Sequence, residues 1–142
     1  MAVLVANLGG EGEEPGAINV NAFITDMMIN PQFHDLLPSG GLVIRGSAHQ
    51  TGLATSSIDS VVANDFPIQF DQFIIDGSGT RRSIGLLTAE VARILKPNGV
   101  LRFGCSSCDR VALARAFERA GLLDVAVRAD GYVLARKALR GE

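Results

Sequence analysis

Two cysteines, Cys105 and Cys108, are too few to staple a chain of 142 residues, and a domain of that length needs no stapling. A surplus of one charge is lacking as well. Lys and Arg number 13 against 15 Asp and Glu, a formal net charge of -2, so the footprint of a protein that grips nucleic-acid phosphates is missing. Apolar runs such as Val61-Val62-Ala63 are far too short to cross a bilayer, and Met1-Ala2-Val3 leads straight into a strand-like segment with no basic flank. These absences speak against a disulfide scaffold, a nucleic-acid binder and a membrane protein, and the expectation is a soluble, cytoplasmic chain. What is present is 47% apolar and 20% charged residues, enough for one packed core. Residues 1–142 therefore read as a single domain.

Val3 to Leu8 is a β-prone apolar run that stops at Gly9-Gly10-Glu11-Gly12, a glycine-rich turn. Pro15-Gly16 then leads to Ala17-Ile18-Asn19-Val20-Asn21, whose alternation suits a second short strand. A parallel pair needs a crossover of roughly ten residues or more, and only residues 9–16 are on offer. Either another strand separates the two, or the first layer of the fold is abbreviated. Phe23 to Leu37 is apolar without a firm period and reads as part helix, part loop. Leu42 to Arg45 is a strand, Gly46 to Ser57 a polar loop, and Ile58 to Ala63 another strand closed by Asn64-Asp65-Phe66-Pro67.

Ile84, Leu87, Val91, Ile94 and Leu95 then recur at helical steps, with Arg81, Arg82, Glu90 and Arg93 on the opposite face. Lys96-Pro97-Asn98-Gly99 ends that helix and starts a strand at Val100 that runs to Gly104. Asp109 caps a second helix that Gly121 stops. Val125 to Arg128 and Tyr132 to Ala135 form a hairpin through Ala129-Asp130-Gly131. The pattern predicts an α/β fold: a Rossmann-like, mostly parallel sheet flanked by helices, with an antiparallel edge strand, a terminal hairpin and the first crossover helix shortened or absent.

Three words carry a resemblance: Ile58-Asp59-Ser60-Val61-Val62-Ala63-Asn64, the LTAEVARILKPNGVLRF stretch beginning at Leu87, and Ala116-Phe117-Glu118-Arg119-Ala120-Gly121-Leu122. Over residues 58–137 their order resembles the carboxyl half of class I S-adenosylmethionine-dependent methyltransferases. More weakly, Val3 to Gly12 is similar to that family's first strand and glycine loop. The resemblance implies methyl transfer from S-adenosylmethionine to a small molecule or a protein side chain. It places the cofactor at Gly9, Gly10, Gly12, Asn21, Ser47, Ala48, Asn64 and Asp65, at the carboxyl ends of strands. The chain departs from the family where an acid at the tip of strand two would hold the ribose, since that tip offers Asn19 and Asn21. The same Gly, Asn and Ser residues also suit ordinary turns.

Methyl transfer is an in-line displacement that depends mainly on holding the reacting groups in line, so no catalytic constellation is required. His49 is a candidate base, against the plainer reading of a solvated loop histidine; His34 carries less weight still. A catalytically degenerate binding or dimerisation module is the alternative, favoured by the absent ribose acid and crossover helix. Cys105-Ser106-Ser107-Cys108 at a helix start opens a third class, thiol-redox chemistry, because a helix N-terminus lowers a thiol's pKa. Against it, no second cysteine pair or ligand cluster completes a zinc site, and two small residues packing in a turn explain the motif. Arg110, Arg115, Arg119, Arg128, Arg136, Lys137 and Arg140 read as a solvated face. An apolar composition with an abbreviated first half leaves surface for a second copy to cover, so a homodimer is expected.

Overall fold

The computed structural model describes residues 3–10, 14, 16–20, 42–44, 48–64, 66, 79–105 and 108–141. Seven strands make one sheet: β1 (Val5–Leu8), β2 (Ile18–Val20), β3 (Leu42–Ile44), β4 (Ile58–Ala63), β5 (Leu95–Gly104), β6 (Leu123–Val127) and β7 (Tyr132–Arg136). Their spatial order is β3-β2-β1-β4-β5-β7-β6. Every pairing is parallel except those of β7, which runs against both β5 and β6. Two helices are described, α1 (Gly79–Ile94) and α2 (Arg110–Arg119). Among the described residues no helix is long and apolar enough to cross a membrane.

The abbreviated first layer is the alternative the fold takes. β1 and β2 are direct parallel neighbours, Ala6 opposite Ile18, with no strand between them and only residues 9–17 to join them. The hairpin also forms, with Gly131 at φ 93 in its turn. The reversed strand, however, is not at the edge as expected. α2 carries the chain past β5 to the outermost position, where β6 lies parallel to the rest, and β7 returns into the gap between them. The end of α1 differs too. β5 begins at Leu95 rather than Val100, because Lys96-Pro97-Asn98-Gly99 bulges out of the strand, with Asn98 at φ 65, instead of forming a separate turn. Phe23 to Leu37 lies outside the described residues.

Register assigns side chains to the two faces of the sheet. Ala6, Leu8, Val20, Val61, Ala63, Leu101, Phe103, Val133 and Ala135 share one face, where they meet Ile84, Leu87, Val91 and Ile94 of α1 and Leu113 and Phe117 of α2. Phe103 sits at the middle of this core, its ring 5.4 Å from that of Phe66 and 5.6 Å from that of Phe117. The opposite face carries Asn19, Asn7, Ser60, Val62, Arg102 and Leu134. A parallel sheet covered by helices on both sides reads as continuous apolar strands. This one alternates, and Asn7, Asn19, Ser60 and Arg102 share its second face with Val62 and Leu134.

Candidate functional site

The chain moves outward from β1 through β2 to β3, then returns to start β4 on the other side of β1. That reversal makes the carboxyl ends of β1 and β4 the switch point at which open α/β sheets bind ligands. Gly9 follows β1 with φ 70, and its N–H donates to Val20 O at 2.7 Å. The Gly10 N–H donates to Asn7 O at 3.2 Å. Gly10 lies so close to the polar sheet face that a Cβ would stand 2.4 Å from Asn19 Oδ1 and 2.5 Å from Asn7 Nδ2, a space no side chain can enter. Beneath it Asn7 and Asn19 are fully buried and joined, Asn7 Nδ2 donating to Asn19 Oδ1 at 3.3 Å.

Glu14, further along the same connection, reaches across the sheet. Its Oε1 lies 2.7 Å from Arg102 Nη2 of β5 and accepts from Asn64 Nδ2 at 3.2 Å. Asn64, just past β4, accepts through Oδ1 from Arg102 Nη2 at 3.2 Å and from Tyr132 Oη at 3.3 Å. The Arg102 guanidinium also stands over the Tyr132 ring, 5.3 Å from its centroid. Both acceptor positions of the Asn64 amide are thus filled and one of its two N–H groups is used. Its second N–H and the other carboxylate oxygen of Glu14 have no partner among the described residues. On the far side of β4, Phe66 donates its N–H to Gly104 O at 2.8 Å and lays its ring beneath Gly9.

Of the residues the sequence pointed to, Gly9, Gly10 and Asn64 come together at this edge. Ala48 is a core residue, 6% exposed, so its side chain is not open to a ligand. Gly12, Asn21, Ser47 and Asp65 lie outside the described residues, as do Glu11 and His34. Asn19 is no substitute for a ribose acid: its side chain is turned under Gly10 and held by Asn7. His49 is half-buried in the connection before β4. Asn7, Glu14, Arg102 and Tyr132 were missed. The signal available was a polar residue inside a strand, as Asn7 and Arg102 are; nothing local marks Glu14 or Tyr132.

A second polar cluster joins that connection to α1. Glu90, expected on the exposed face of the helix, is 7% exposed instead. It accepts from Thr51 N at 2.8 Å, Thr51 Oγ1 at 2.7 Å and Arg93 Nε at 2.7 Å. Arg93 donates onward to Leu53 O at 2.6 Å and Thr55 Oγ1 at 3.0 Å. The Arg93 guanidinium and the Thr51 donors hold the Glu90 carboxyl down at about 2, against the pull of burial. Every oxygen is satisfied, which makes this a structural clamp.

The thiol reading loses its physical basis. Asp109 caps α2, accepting from Val111 N and Ala112 N at 3.1 Å each, so the first amides of the helix face a carboxylate and no thiol. The Cys108 thiol is pushed far up by its interaction with Cys105 and by burial, the reverse of what exchange chemistry needs. Among the described residues no group of His, Cys, Asp or Glu is placed to hold a metal.

No protein-family model and no curated protein sequence matches the chain. Solved structures do. A TehB-like SAM-dependent methyltransferase from Corynebacterium glutamicum is similar with a TM-score of 0.67 at 12% identity, over 96% of this chain and 80% of that one. The cyclase SpnF also gives 0.67 at 12% identity, over 97% and 75%. A 1,6-didemethyltoxoflavin-N1-methyltransferase from Burkholderia thailandensis, solved with S-adenosylhomocysteine, gives 0.63 at 12% identity, over 95% and 71%. The chain has the class I S-adenosylmethionine-dependent methyltransferase fold.

Proposed function

We propose that the chain is a small S-adenosylmethionine-dependent methyltransferase, a single domain over residues 1–142, acting on a small molecule or a protein side chain. The observation that carries the reading is the switch point between β1 and β4, where a glycine turn and a rigidly held asparagine stand at one edge of a methyltransferase sheet. Gly9, Gly10, Gly12, Asn21, Ser47, Asn64 and Asp65 are the residues that would hold the cofactor, with Ala48, whose side chain belongs to the core, contributing main chain alone. S-adenosylmethionine supplies a methyl group on a sulfonium, and the chain's part is to bind and align the two reactants and keep water away. A solved neighbour that is a methyltransferase with S-adenosylhomocysteine bound supports this choice, while the likeness to a cyclase shows that the fold does not dictate the reaction.

The protein is further proposed to be cytoplasmic, to have no nucleic-acid partner, in keeping with its net charge of -2, and to form a homodimer. A hollow of about 310 Å³ on the polar sheet face supports the dimer. Val100 and Leu134 line it, and Arg136 and Asp124 flank it with one charge of each sign, so a twofold-related copy would meet each with its opposite.

Calorimetric titration with S-adenosylmethionine and S-adenosylhomocysteine tests the reading. Binding in the micromolar range, about -8 kcal/mol, is expected for both. Absence of heat and of any thermal shift, in protein shown to be folded, would refute it in favour of a binding module.

A further inference from the structure

In a doubly wound sheet, a crossover helix between the first two strands would lie on the face opposite α1 and α2. Here only residues 9–17 join β1 to β2, too few for one, and two of them, Gly10 and Glu14, contact that face. Gly10 rests on the Asn7–Asn19 pair, and Glu14 spans from β1 past β4 to grasp Arg102 and Asn64, which are 88 and 50 residues away in sequence. Arg102 in turn is stacked over Tyr132 of β7. Ala17 N donates back to Glu14 O at 3.2 Å, which fixes the return into β2.

We infer that Glu14 and Arg102 are positioning residues, a clasp that ties the chain at Glu14 to the sheet and so holds Gly9, Gly10 and Asn64 where they would receive the cofactor. This rests on the function proposed above. An isolated ion pair at half-exposed positions would contribute little. This one is part of a four-residue network in which Asn64, a cofactor candidate, is oriented by both members of the pair, and such networks are worth more than their separate contacts. The negative charge of Glu14 therefore acts on the cofactor through the connection and through Asn64.

The test uses Glu14→Gln, Arg102→Met and the double variant, with two readouts on the full chain. One is amide hydrogen exchange of Gly9, Gly10 and Ala17 without ligand; the other is the dissociation constant for S-adenosylmethionine. Each single variant is expected to speed those three exchanges and to weaken binding by about tenfold, while helix amides such as Val91 keep their protection. The double variant is expected to bind no worse than the weaker single, as for two residues acting through one contact. Unchanged exchange and unchanged binding in Glu14→Gln would overturn the clasp. So would a general loss of protection that includes Val91, since that marks a merely structural role. If the wild-type protein binds no S-adenosylmethionine but the three amides still respond, the clasp stands and the proposed function falls.

Discussion

Replacing Gly10 by alanine puts a methyl carbon inside contact distance of two buried amides, and neither Asn7 nor Asn19 can yield without breaking the pair they form. Gly10→Ala is expected to lower stability by about 1–3 kcal/mol, the usual cost of forcing extra volume into a packed interior. Urea denaturation midpoints measure it. Gly16, at φ 76 with open space around it, makes the control: alanine there meets only backbone strain, about 1 kcal/mol. A Gly10→Ala protein that unfolds like wild type but no longer binds S-adenosylmethionine would return this glycine to a purely ligand-facing role. At this scale the sequence was half legible. A glycine cluster after a strand marks a place where the main chain must approach something closely, but not whether that something is a ligand or, as here, a pair of asparagines. Arg102, a charge inside a strand, was a signal that went unused, while its partner Glu14 could not be read because no local pattern links residues so far apart.

The connection before β4 and the helix α1 are joined through Glu90, and this joint responds to acid. The folded pKa of about 2 lies below the ordinary 4.5, so the stabilisation is complete above about pH 4.5 and is lost as pH falls from there toward 2. Glu90→Gln is expected to be less stable than wild type near pH 7 by up to about 3 kcal/mol, with the gap narrowing below pH 4.5. Denaturant midpoints of both proteins across that range decide it; a gap independent of pH would mean that the carboxylate is not the element under tension. Helical spacing in the sequence located α1 and its core side, since Ile84, Leu87, Val91 and Ile94 are all buried. It misplaced Glu90, because a charged residue beside an apolar stripe looks solvated until a loop from elsewhere brings Thr51 to it. The Lys-Pro-Asn-Gly word was read correctly as a break in the helix, yet a bulge leaves the same signature as a turn, so the start of β5 was set late.

For the whole molecule, the polar second face of the sheet is the feature to probe. Sedimentation at micromolar concentration is expected to give the mass of two chains, and Leu134→Glu, which sets a charge in the hollow beside Val100, is expected to give the mass of one. A single-chain mass in the wild type would contradict the dimer. The strand order was not legible, since periodicity places strands along the chain and says nothing of who neighbours whom. The position of β7 between β5 and β6 is of that kind. The alternation of β2, by contrast, was visible as Asn19 between Ile18 and Val20.

The short link between β1 and β2 also bears on how the chain assembles. Parallel ladders are ordinarily slow to form because their partners are distant in sequence and loop-closure entropy must be met first. Here Ala6 faces Ile18, a separation close to that of a hairpin, while Ala6 must wait for Val61 to complete its other side. The amino-terminal ladder can thus register while the chain is still emerging from its synthesis, and it can present a ready template edge on which β4, arriving later, docks.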